Sequence, residues 1–234
     1  MTVRPEESTG AMTVRPERGA DAMTVRPEGA AGAVTGGLLL YARSRTLPLT
    51  VASLAATGAL AVWAAHGLDA YLDPSRRVPV VALAPLLAAA AIGASLYSAS
   101  EELDRTAVRP WWRRRLVQLL ALTALAAVLL PPAVLGHVSS FGPPAMIRNT
   151  LGCTGLAAAA AALLGARLSW LPVFGYVSAV YMGAAGVHGG VVPVWAWLVQ
   201  PAGEWDGWIV ALVAFGAGGV LYVVRGARPE GPRG

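Results

Sequence analysis

The chain has no lysine, one cysteine and three histidines, and charged residues fill only 13% of its 234 positions. Each shortage excludes something. A Walker A loop needs lysine to reach the nucleotide phosphates, so if ATP drives this protein, a separate subunit binds it. The lone Cys153 excludes an intramolecular disulfide and any CxxC metal or redox motif. Soluble domains carry about 25% charged residues. The deficit here, with 56% hydrophobic residues and a mean hydropathy of +0.56, excludes an ordinary soluble domain. All 18 basic residues are arginine. Their pI near 10 does not imply a nucleic-acid partner, because the arginines flank apolar runs where membrane topology accounts for them. Alanine, glycine, arginine and proline in place of lysine match a high-GC bacterial coding bias.

What remains is a set of apolar runs near the roughly 20 residues that cross a hydrocarbon core. The expected fold is an all-α integral membrane protein with six transmembrane helices. The spans are expected at about 47–66, 78–99, 116–137, 150–166, 169–187 and 208–224. Residues 1–33 are three copies of an 11-residue unit beginning MTVRPE. Each copy has proline, glycine and too few apolar residues for a coiled-coil seam. The domain reading is therefore a disordered repeat tail over 1–35, a six-helix domain over 36–228 and a disordered C-terminal tail over 229–234. Met12 and Met23 each open a repeat and are alternative starts. Residues 38–46, with Arg43 and Arg45 beside leucines, suit an interfacial lead-in. Pro131-Pro132 should kink the third span in its outer third, and only Arg167 and its neighbours separate spans four and five.

Arginine placement sets the orientation. With the N-terminus inside, the inner segments hold 15 arginines and the outer loops only Arg76, Arg77 and Arg148. By the positive-inside rule both termini are cytoplasmic. The eight tryptophans fall near span ends, as an aromatic belt would. No Asp, Glu or Arg lies inside these spans, which argues against a pump or ion-coupled carrier. No cofactor and no catalytic residues are expected.

The connector SEELDRTAVRPWWRRR, residues 100–115, holds the most local information. Acidic residues come first and arginines last, as suits a short helix. Glu101 and Arg105 are spaced to pair, and Pro110 ends the helix before Trp111-Trp112 and the Arg113–Arg115 triplet anchor span three. A lead-in, two spans, an acidic-then-basic cytoplasmic helix and four more spans resemble the membrane subunits of type 2 ATP-binding-cassette exporters. The resemblance covers about 36–228. It implies a non-enzymatic permease subunit in a bacterial plasma membrane, paired with a cytoplasmic ATP-binding subunit and a second membrane subunit, identical or different. It also implies that Glu101, Glu102, Arg105, Arg109 and Pro110 form the ATPase-coupling surface, and that the Trp-rich stretch before span six is an outer or re-entrant segment. Where the family often has Gly-Thr after the Glu, this chain has Asp104-Arg105-Thr106.

Three other readings fit parts of the sequence. A non-transport membrane scaffold is the main alternative. Glu101-Glu102 with Arg105 resembles the EExxxR motif of CAAX-protease-like enzymes, but the spacing is one residue short. The histidines also end spans on the opposite side of the membrane. His66, His137, His188 and Cys153 would suit a soft metal only if packing brought them together. Finally, Gly175, Ala179 and Gly183 in span five, and Ala214 and Gly218 in span six, are small ridges suited to close helix contact. Contact within the subunit is expected ahead of a homodimer seam.

Overall fold

The computed structural model describes residues 47–67, 78–97, 111–135, 142–184 and 194–228. The repeat tail, residues 100–110 of the connector, His137, His188 and residues 229–234 lie outside them. Among the described residues six α-helices follow one another: α1 (Leu47–Gly67), α2 (Val78–Ser95), α3 (Trp111–Leu129), α4 (Pro143–Leu164), α5 (Trp170–Ala184) and α6 (Trp205–Arg225). Short 3-10 turns cover Pro131–Val134, Ala166–Leu168 and Val194–Val199. There is no strand among the described residues.

Among the described residues four stretches are long and apolar enough to cross a membrane: Leu47–Gly67, Trp111–Val134, Pro143–Leu164 and Trp205–Arg225, with a shorter apolar helix at Val80–Ser95. This is a multi-pass, all-α membrane protein. In lipid every backbone donor and acceptor must be met inside the protein, which favours helices for such runs.

The breaks have identifiable causes. Pro131 and Pro132 have no N–H to give the carbonyls one turn back. The last regular bond of α3 runs from Leu130 N–H to the Ala126 carbonyl at 3.0 Å, and the chain then tightens into a 3-10 turn. This is the expected break in the third span. Gly165, at φ 101°, ends α4 in a conformation open to glycine and lets α5 start five residues later.

α4 is the axis. Of its most apolar stretch 67% is buried, against 22% for α1 and 28% for α6. Its closest neighbour is α6. A Cβ on Gly218 would lie 2.0 Å from the Gly155 carbonyl oxygen, and one on Gly155 would lie 2.4 Å from the Ala214 oxygen. The expected intra-subunit use of Ala214 and Gly218 is observed. In α5, by contrast, Gly175 faces open space, and Gly183 is covered by the Trp195 ring.

α2, α4 and α6 run in the same direction. Asn149, near the start of α4, reaches Val81 near the start of α2, and Arg228, just beyond α6, reaches the Leu163 carbonyl near the end of α4. Gln118, early in α3, bonds the Ser95 carbonyl at the end of α2. One end of the bundle therefore collects Arg113, Arg114, Arg115, Arg167, Arg225 and Arg228. Arg113 lies over Trp112 and Arg114 over Trp111, at 5.3 and 5.1 Å from the ring centroids. The other end holds a single described arginine, Arg148.

Two expectations need correction here. α4 begins at Pro143, seven residues before the expected start, so Arg148 lies within an apolar helix and not in a loop. Pro143 and Pro144 fit the first helical turn, where their missing N–H groups cost nothing. The tryptophan belt is also incomplete. Trp63, Trp112, Trp170, Trp195 and Trp205 are exposed, but Trp197 is 3% exposed and belongs to the core.

Candidate functional site

Arg148 and Asn149 are both fully buried. Arg148 sits in the second turn of α4, about 8 Å along the axis from Pro143. Its Nη2 donates to the Gln200 carbonyl at 2.7 Å and its Nη1 to the Pro201 carbonyl at 2.9 Å. Its Nε donates to Asn149 Oδ1 at 3.2 Å. All three acceptors are neutral. The described acids, Glu204 and Asp206, are exposed. An arginine inside a membrane domain is tolerated when backbone carbonyls take its protons, and its presence marks a place of functional interest.

Asn149 completes the cluster. Its Nδ2 donates to the Leu198 carbonyl at 2.8 Å and to the Val81 carbonyl at 3.1 Å. The second bond has a cause four residues away. Pro85 lies inside α2 and has no N–H for the Val81 carbonyl, the acceptor one turn back. That buried oxygen would otherwise lose its partner, and the α4 side chain supplies one.

The Leu198, Gln200 and Pro201 carbonyls belong to the stretch 194–204, which lies between α5 and α6 in the sequence. A kinked 3-10 stretch leaves carbonyls without regular helical partners, and side chains meet them here. Tyr176 Oη donates to the Trp195 carbonyl, Asn149 to Leu198, Arg148 to Gln200 and Pro201, and Trp208 Nε1 to Ala202 at 3.1 Å. Such backbone is stable at membrane depth only where protein buries it.

Glycines make the fit possible. The Trp197 ring lies against Gly152 of α4, where a Cβ would come within 2.2 Å of it, and stacks on Tyr176 at 6.0 Å. Gly207, in the first turn of α6, leaves room for the guanidinium, since a Cβ there would lie 2.9 Å from Arg148 Nη1. The cluster can therefore hold an irregular segment against three helices, and its chemistry is that of fastening.

The other candidates do not join it. His66 turns back on its own helix, with Nδ1 2.9 Å from the Val62 carbonyl, at an exposed position. Cys153 is buried among apolar residues of α4, α5 and the 194–199 turn. Among the described residues no three metal-ligating side chains come together. Glu101, Glu102, Arg105, Arg109 and Pro110 lie outside the described residues. Sequence reasoning assigned Arg148 to a loop and did not single out Asn149 or Gln200. The available signals were Gly142-Pro143-Pro144 as a helix start and Pro85 as a source of an orphan carbonyl. No family model, curated protein or solved structure matches the chain, so function must be argued from the residues themselves.

Proposed function

We propose that this chain is the six-span permease subunit of an ATP-binding-cassette exporter in a bacterial plasma membrane, with both termini cytoplasmic. It couples to a separate ATPase through Glu101, Glu102, Arg105, Arg109 and Pro110 and works beside a second membrane subunit. The observation that carries this reading is the 194–204 segment between α5 and α6, whose Ala196, Trp197, Leu198 and Gln200 are buried. It lies at the end of the bundle away from the six clustered arginines, where an exporter's outer re-entrant segment belongs. Held by Arg148 and Asn149, it serves as the outer closure of the path. The arginine distribution supports the orientation, because the only described arginine at the other end is buried and bonded.

The test is the double change Glu101→Ala and Glu102→Ala. It leaves every arginine in place, so insertion should be normal, with reporters after Arg115 and Arg167 reading cytoplasmic. Losing one side of a desolvated charge contact costs about 2–5 kcal/mol, so recovery of the ATPase with the tagged chain should fall about tenfold or more. Undiminished recovery, or no ATPase with wild type, sinks the exporter reading in favour of a membrane scaffold.

A further inference from the structure

The outward side of α3 changes character along its length. Arg113, Val117, Leu120, Ala124 and Val128 follow one another at steps of three or four residues, so they share one face, and all five are exposed. Arg114 is exposed beside Arg113. From Arg113 to Ala124 the stripe is about 16 Å long at the helical rise. It starts with two guanidinium groups and continues with apolar side chains only, Val117 being 64% and Val128 70% exposed. Trp112 and Trp111 hold Arg113 and Arg114 through their rings, at 5.3 and 5.1 Å from the centroids. A ring face holds a guanidinium without cancelling its charge. The described acids, Glu204 and Asp206, stand at the start of α6, the opposite end of the bundle. Those of the connector lie outside the described residues.

We propose that this stripe binds an anionic phospholipid from the bilayer, its phosphate held by Arg113 and Arg114 and one acyl chain lying along Val117, Leu120 and Ala124. Each part of the ligand follows from the order of the residues. Arginine offers a planar fork of donors that matches a pair of phosphate oxygens. Tryptophan and arginine at the mouth of an apolar helix sit at headgroup depth, and basic residues there attract anionic lipids. A zwitterionic lipid brings its own cation to the arginines, so a net negative headgroup is preferred. The apolar continuation decides between a lipid and other anions. A nucleotide or an acidic protein segment pairs with arginine equally well but has nothing to lay along Val117 and Leu120. α1 also exposes an apolar face, at Val51, Leu60 and Trp63, but has no arginine between Leu47 and Gly67. It should meet lipid without preference for charge. The proposal does not rest on the permease reading.

The test uses the purified full chain in phosphatidylcholine nanodiscs, with a trace of phosphatidylglycerol or phosphatidylcholine carrying the same photoactivatable acyl chain. On residues 117–124 the phosphatidylglycerol probe should label more than the phosphatidylcholine probe by about tenfold or more, the scale of two arginines at a membrane surface. On α1 the two probes should label equally. Arg113→Gln with Arg114→Gln should bring the ratio on 117–124 close to one. These arginines also help to orient the span, so a second variant keeps their charge. Arg113→Lys with Arg114→Lys should insert normally but lacks the fork, and its ratio should fall about threefold or more. A wild-type ratio near one, the same preference on α1, or full preference in the lysine variant overturns the proposal. The last of these would reduce the stripe to a layer of diffuse charge. No ATPase enters this measurement, so a failure of the permease reading leaves it untouched.

Discussion

α4 is fastened at two places by opposite means. In its middle, Gly155 meets Gly218 of α6 with no side chain between the two backbones. Near its start, Arg148 and Asn149 carry their side chains across to the carbonyls of residues 81, 198, 200 and 201. Lipid gives helices no hydrophobic reason to associate, so contact must come from close packing or from polar bonds. The glycine crossing uses the first and the arginine cluster the second. Their failure modes differ accordingly. The crossing cannot accept an added atom, and the cluster cannot lose a donor.

The largest expected effect is at the crossing. In Gly218→Ala the new Cβ meets the Gly155 carbonyl, which has no rotamer by which to move away. Overpacking costs about 1–3 kcal/mol where side chains can shift, and this site should exceed that range. Thermal unfolding of the detergent-solubilised protein should show a markedly lower Tm or no monodisperse fraction. A wild-type Tm would mean that the helices do not approach so closely.

The next effect tests the cluster through a coupling. Asn149→Ala removes the donor to two buried carbonyls, each worth about 1–3 kcal/mol when left unmet. Pro85→Ala restores an N–H that can reach the Val81 carbonyl along α2. In that background Asn149→Ala should cost about 1 kcal/mol less, a coupling typical of residues that share a partner. A double-mutant cycle on unfolding free energy reads this directly. Additive effects would show that Asn149 does not compensate for the proline.

These regions also differ in how far they could be read from sequence. Four of the six expected spans, the break at Pro131-Pro132, the tight junction at Arg167 and the small ridge ending in Gly218 are local patterns, and they survive in the structure. The arginine cluster is not local. A charged residue normally ends a span in a hydropathy reading, so Arg148 marked a boundary although its helix starts five residues earlier, at Pro143. Trp197 passed for an interfacial residue because its slot is Gly152, 45 positions away.

The smallest expected effect separates the two faces of one helix. Gly216 and Gly218 are two residues apart in α6, which turns them about 200° from each other. A Cβ on Gly218 strikes backbone, whereas one on Gly216 meets nothing within 4 Å. Gly216→Ala should therefore leave unfolding of the purified chain within about 0.5 kcal/mol of wild type, as for most open surface positions. Any change should be toward stability, since alanine loses less backbone freedom in a helix than glycine does. The paired measurement tests location and not residue type, because both variants add the same methyl group to the same helix. A loss at Gly216 as large as that at Gly218 would mean that a second membrane subunit packs against this face. The contrast between a closed seam and an open surface would then give way to two seams, one of them between subunits.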